Sequence, residues 1–229
     1  MKGFARAVGR VLLIALYGAF GAAGVFTATD FFFDRLYLFE WLRHLLGLEG
    51  ANVAYAVLFS LPGCLTLAVP EGVRRRSLRA WLVIAGTCYL GAVAAGIIVV
   101  LGPSENPMTV IQAWVIGCAA GYGLGAGIAR RAWIAMIVGL LVGQLGGLAG
   151  SQAGFYLWDP LPYGYRRGFG VALVGAATIL LVVSVAMELV DLYLKRKDAE
   201  APAPAPGSDV SERSDGPDSG GAAGAASGR

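Results

Sequence analysis

The sequence predicts an all-α membrane bundle of six transmembrane helices. Three observations carry this: six apolar stretches of spanning length, basic charge that alternates between successive loops, and small residues recurring every fourth position in two of the spans. The stretches cover residues 8–28, 51–70, 80–102, 108–129, 132–152 and 169–192. Each is close to the ~20 residues with which a helix rising ~1.5 Å per residue crosses ~30 Å of hydrocarbon. A chain of 229 residues that is 57% hydrophobic and 14% charged, with mean hydropathy +0.66, lies outside the balance of soluble domains.

The first span follows Lys2, Arg6 and Arg10 and runs into Phe31, Phe32 and Phe33, a cluster suited to the aromatic belt at a membrane surface. A basic start, an apolar run and the small residues Gly21 to Gly24 also fit a cleaved leader, which would leave five spans. We take the span as retained, because apolar character continues through Phe26.

Between the first two spans, residues 36–48 place Glu40, Arg43, His44 and Gly47 on one helical face and Leu38, Phe39, Trp41, Leu42, Leu45 and Leu46 on the other. This predicts a short amphipathic helix in the outer membrane interface. The second and fifth spans carry Pro62-Gly63 and Gly146-Gly147. If the two three-span halves are inverted repeats, these are breaks at matching depth, the arrangement that marks a binding site in many transporters.

Small residues form rows in the fourth span (Gly117, Gly121, Gly125) and the fifth (Gly139, Gly143, Gly147). Second rows run through Ala119, Gly123 and Gly127, and through Gly146, Gly150 and Gly154. Such rows let backbones touch and gain van der Waals contact that lipid cannot supply. The last loop holds Trp158, Asp159, Arg166 and Arg167 among tyrosines, a candidate outer mouth for an anionic or ring-bearing ligand; its structural reading is an aromatic belt with turn chemistry at Asp159-Pro160. The sixth span ends with Glu188 and Asp191 one turn apart, the candidate ionisable pair, and Lys195 stands four residues on to neutralise Asp191.

Summed over loops, twelve Lys and Arg fall on one side and four on the other. The positive-inside rule then puts both termini in the cytoplasm, in the inner membrane of a bacterium whose gene favours Arg over Lys. Residues 1–197 form the membrane domain, and residues 198–229, rich in Ala, Pro, Gly, Ser and acid, form a disordered cytoplasmic tail with Ser208, Ser211 and Ser214 as modifiable hydroxyls.

Chemistry is sparse. No serine, histidine or carboxylate motif of a hydrolase or metalloprotease is present, and no catalytic residue, cofactor or metal is expected. Gly121-Tyr122-Gly123-Leu124-Gly125 follows no strand and cannot serve as a phosphate loop. Cys64, Cys88 and Cys118 lie one per span without C-x-x-C spacing, and are expected to be small buried hydrophobes. The pI of 8.8 comes from loop arginines that face head groups, so nucleic acid is not expected as a partner. The partners expected are the bilayer and other transmembrane helices, a homo-oligomer among the forms.

The leading function is passage of a small solute, with Ser60, Gln144 and Gln112 lining a shared cavity near the two breaks. The alternative is a non-catalytic scaffold or subunit that binds partners through its glycine faces and tail.

Overall fold

The computed structural model describes residues 2–100, 107–156 and 165–200. Among them the chain is helical: α1 (Lys2–Arg35), α2 (Leu38–Arg75), α3 (Leu78–Val100), α4 (Pro107–Ile128), α5 (Trp133–Tyr156) and α6 (Tyr165–Glu200). Each contains a segment long and apolar enough to cross a membrane. The chain divides into two compact units, Met1–Tyr193 and Leu194–Arg229. The first holds the bundle; in the second, residues 194–200 are helical.

Successive helices pack as neighbours from α1 to α5. Helix α6 then lies against both α5, where Gly150 meets the Gly175 carbonyl, and α1, where Leu180 and Pro70 of α2 close over Gly18. Phe20 of α1 also meets Phe169 of α6, with ring centroids 6.2 Å apart.

The two rows on α4 and the two on α5 serve different neighbours. Gly117, Gly121 and Gly125 seat on α3, against the carbonyls of Gly91 and Thr87 and the Cα of Ile84. The second row of α4 meets the first row of α5: Gly123 lies on the Gly139 carbonyl, and Gly143 on that of Ala119. The second row of α5, Gly146, Gly150 and Gly154, takes α6. A Cβ at most of these glycines would strike backbone, which cannot step aside as a side chain can. The glycine faces are therefore consumed within the chain rather than left for a partner.

The breaks expected at Pro62-Gly63 and Gly146-Gly147 are absent: α2 and α5 run through both. Pro62 costs a helix one backbone donor and leaves the Leu58 carbonyl without its intrahelical partner, but that single lost bond does not interrupt α2. Gly63 is small because the Phe26 ring lies on it. Gly146 and Gly147 are contact points with α6 and α4. The true discontinuity in α2 is Gly47, at φ 73 and ψ 179, a conformation outside the helical region that favours glycine. It separates a short helix from Leu38 onward, with Trp41, Leu45 and Leu46 exposed, from the span that follows.

Tight turns position the charged end of the bundle. Arg76 takes left-handed φ 49, and its N–H and that of Ser77 donate to the Val73 and Gly72 carbonyls, closing α2. Ser77 then accepts the Ala80 N–H at 3.2 Å through its hydroxyl and starts α3. Arg131, at φ 54, makes the corresponding turn after α4.

Candidate functional site

The C-terminal ends of α2 and α4 meet α6 at Glu188 and Asp191, and there the chain buries its charges. Glu71 sits in the last turns of α2, where Arg74 and Arg75 follow at the i+3 and i+4 positions that bring side chains onto one face. Arg75 Nε lies 3.0 Å from Glu71 Oε1, and Arg74 Nη1 lies 3.3 Å from Oε2. Arg130, just past α4, reaches the same carboxylate at 3.2 Å and holds Asp191 of α6 side-on, Nε to Oδ1 at 2.8 Å and Nη2 to Oδ2 at 3.1 Å. Arg74 joins in from the other side, 3.1 Å from Asp191 Oδ2 and 2.8 Å from Glu188 Oε1. Three guanidinium groups thus face three carboxylates, and the cluster is neutral.

The side chains of Arg130 and Glu71 are only 2% and 4% exposed, so desolvation is nearly complete and Coulomb attraction is little screened. Two of the arginines also satisfy carbonyls that the end of α4 leaves without intrahelical partners. Arg75 Nη1 donates to Ala129 at 3.3 Å, and Arg130 Nη1 to Ala126 at 2.8 Å. Glu188 Oε1 is the weak point: it is within ion-pair distance of Arg74, yet no donor is aligned with this buried oxygen. Arg76, Arg79 and Arg131 at this end are exposed.

A polar column extends from the cluster between α2 and α4. Tyr122, fully buried, stands two turns before Arg130 and within electrostatic reach of Glu71 and Arg74. One turn further, Cys118 of α4 meets Cys88 of α3 at Sγ–Sγ 3.2 Å and Cys64 of α2 at 3.9 Å. Above that, Trp114 Nε1 donates to Ser60 Oγ at 2.7 Å, while the Ser60 hydroxyl donates to the Ala56 carbonyl. Phe26 and Phe59 close around the indole, with centroids 5.5 and 5.9 Å from it.

The candidate residues from the sequence are dispersed. Ser60 is buried and hydrogen-bonded; Gln144 is exposed on the outer face of α5, and Gln112 is half-buried on α4. Ser60 and Gln144 therefore do not face one enclosed cavity, because the α5 face that points inward is taken by glycines. Glu188 and Asp191 do share a site, but Arg74 and Arg130 neutralise them across helices, a role the sequence assigned to Lys195. Trp158 and Asp159 lie outside the described residues. Arg166 and Arg167 fall in the first turn of α6, where Arg167 is half-buried. His44 is exposed on the short helix before Gly47, at the far end of α2 from Glu71.

Glu71, Arg74, Arg130 and the assembled cysteines carry no motif. A signal was nonetheless present for each. Glu71 follows Pro70 inside an apolar stretch with arginines at helical spacing, and each cysteine stands near the middle of its own span. Comparison with protein-family models, curated proteins and solved structures finds no match in any of the three.

Proposed function

We propose that the protein is a non-catalytic membrane scaffold or subunit that associates with another transmembrane helix through the outer face of α5. The observation that carries this is Gln144. It lies at the middle of α5, exposed among Leu141, Leu145 and Leu148, and has no hydrogen-bond partner among the described residues. A carboxamide facing hydrocarbon forfeits its hydrogen bonds with water, so a neighbouring helix that supplies a polar group gains the difference. An amide is both donor and acceptor, and a two-fold axis beside α5 would pair Gln144 with itself. A second copy is thus the simplest partner.

The same reading explains why the interior offers no chemistry of its own at the expected solute site. Ser60 is committed to Trp114 and Ala56, and the glycine rows are closed by neighbouring backbone. The basic end faces the cytoplasm in this scheme, with exposed Arg76, Arg79 and Arg131 near anionic head groups of the inner membrane.

The test is energy transfer between donor- and acceptor-labelled copies diluted in liposomes. Gln144→Leu is expected to weaken association by about 3- to 30-fold, the equivalent of the ~0.6 to 2 kcal/mol of an interhelical hydrogen bond. Gln152→Leu, an exposed site nearer the end of the same helix, serves as the control. Wild-type protein that remains monomeric on its own and with the membrane proteins that co-purify with it would refute the proposal.

A further inference from the structure

We propose that Cys64, Cys88 and Cys118 form a three-sulfur site for a soft monovalent metal ion, of which Cu(I) is the biological example. The three thiols come from three helices, and all are buried. Their Sγ atoms lie within 4.8 Å of one another. The cause is local. Gly91, Gly117 and Gly121 bring α3 and α4 into backbone contact, so that a Cβ on Gly121 would fall 2.9 Å from the Cα of Cys88. Cys88 and Cys118 then stand 3.2 Å apart at Sγ, and Cys64 of α2, 3.9 Å from Cys118, completes the triangle.

The triangle has the size of a coordination shell. With metal–sulfur bonds of about 2.3 Å, three ligands around one ion are separated by about 3.8 to 4.0 Å in tetrahedral or trigonal geometry. The Cys64–Cys118 separation of 3.9 Å matches that spacing, and the 3.2 Å between Cys88 and Cys118 is shorter, so that pair must open for an ion to enter. Thiolate sulfur selects soft ions over the hard cations that carboxylates prefer.

Coordination number then narrows the choice. Structural zinc and iron–sulfur centres take four protein ligands. Among the described residues no histidine, carboxylate or fourth cysteine joins this group. The neighbouring turns contribute Leu67, Ala68, Ile84 and Ala92, all buried and apolar, with the buried Tyr122 one turn on from Cys118 as the nearest polar side chain of α4. An ion satisfied by two or three sulfurs is what this site accommodates. Each sulfur that binds as thiolate releases its proton to solvent, and the ion takes that place without change of oxidation state. The site stands apart from the α5 face proposed for association.

The experiment uses full-length protein in detergent micelles, reduced and under argon, offered Cu(I) or Zn(II) separately and then washed with a competing chelator. The expected result is one copper retained per chain, with X-ray absorption showing a shell of two or three sulfurs near 2.3 Å and no light-atom ligand. Cys118→Ser, which removes the sulfur shared by both close pairs, should lower retained copper at least tenfold, while circular dichroism confirms an unchanged helix content. Cys64→Ser, at the longer separation, serves as the second variant should Cys118→Ser fail to fold. Copper retained equally by wild type and both variants, zinc retained in preference to copper, or no metal retained would each overturn the proposal. A Cys88–Cys118 disulfide that forms under air while the reduced protein takes up no copper would do the same.

Discussion

Arg130 is the residue whose removal tests the charged cluster most directly. Arg130→Met keeps the length and apolar bulk of the stem while deleting five donors. Asp191 would keep Arg74 as its partner, Glu71 would keep Arg74 and Arg75, and the cluster would pass from neutral to a net charge of −1. Two magnitudes compete. Were these ordinary surface pairs, the loss would be about 0 to 1 kcal/mol. Breaking a buried pair and stranding its partner costs about 3 to 5 kcal/mol. With 2% and 4% exposure at Arg130 and Glu71, the second regime applies: each carboxylate keeps an arginine, and what is left uncompensated is the net charge of −1 in a buried cluster.

The assay is equilibrium unfolding in mixed micelles, followed by far-ultraviolet circular dichroism and tryptophan fluorescence. A loss of about 3 to 5 kcal/mol lowers the folded-to-unfolded ratio by roughly two to three and a half powers of ten. The decisive variant is the double, Arg130→Met with Asp191→Leu. It restores neutrality, and replacing both members of a buried pair by apolar side chains is often neutral or stabilising, here with Asp191 at the cluster's more open edge, 23% exposed. The double should therefore be more stable than Arg130→Met alone, by about 2 kcal/mol or more. Additive losses, or a single-variant loss under about 1 kcal/mol that disappears at high salt, would refute the burial argument.

Two further outcomes follow from the packing and the charge asymmetry. Gly123→Ala should destabilise the bundle strongly, because the new methyl meets the Gly139 carbonyl, and Gly121→Leu and Gly143→Leu still more; Gly86→Ala, which points into open space, should leave stability unchanged or raise it, and Leu140→Ala should cost little. Equal melting temperatures across this set would remove the close-packing account. In a background without native cysteines, a membrane-impermeant thiol reagent applied from outside should label engineered cysteines at Asn106 and Gly164 and spare one at Ser77; labelling at Ser77 would reverse the orientation.

The fold was legible because each span announces itself within about 20 contiguous residues, and lipid forces every backbone group in it to be satisfied locally. The glycine rows were legible for the same reason, since spacing of four fixes a face. Partner assignment was not: nothing in Gly139 or Gly146 says that one row takes α4 and the other α6. The charged cluster was half visible. Glu188 and Asp191 stood out as acids in a span, whereas Arg74 and Arg130 looked like topology markers, and only the packing of the ends of α2 and α4 on α6 shows them to be counter-charges. Pro62 misled because proline breaks a helix in water more readily than in a packed bundle, where one missing backbone donor is tolerated and α2 runs on.

The bundle is held by two kinds of contact with different tolerances. Along α3, α4 and α5, association is backbone on backbone, and the gain comes from dispersion across surfaces with no side chain between them. Between α2 and α4 the contact is made largely by side chains: Trp114 on Ser60, Cys118 on Cys64, Arg130 on Glu71 and Arg75 on the end of α4. The first kind fails when volume is added and hardly notices a change of polarity elsewhere. The second fails when a donor or charge is removed, since its partner stays buried and unsatisfied. A hydrophobic bilayer supplies no drive for helix association by itself, so polar side chains on α2 do there what glycine does on α4 and α5. That division places the cysteines at the junction of both kinds, drawn together by glycine contact on the α3 side and by the polar column on the α2 side.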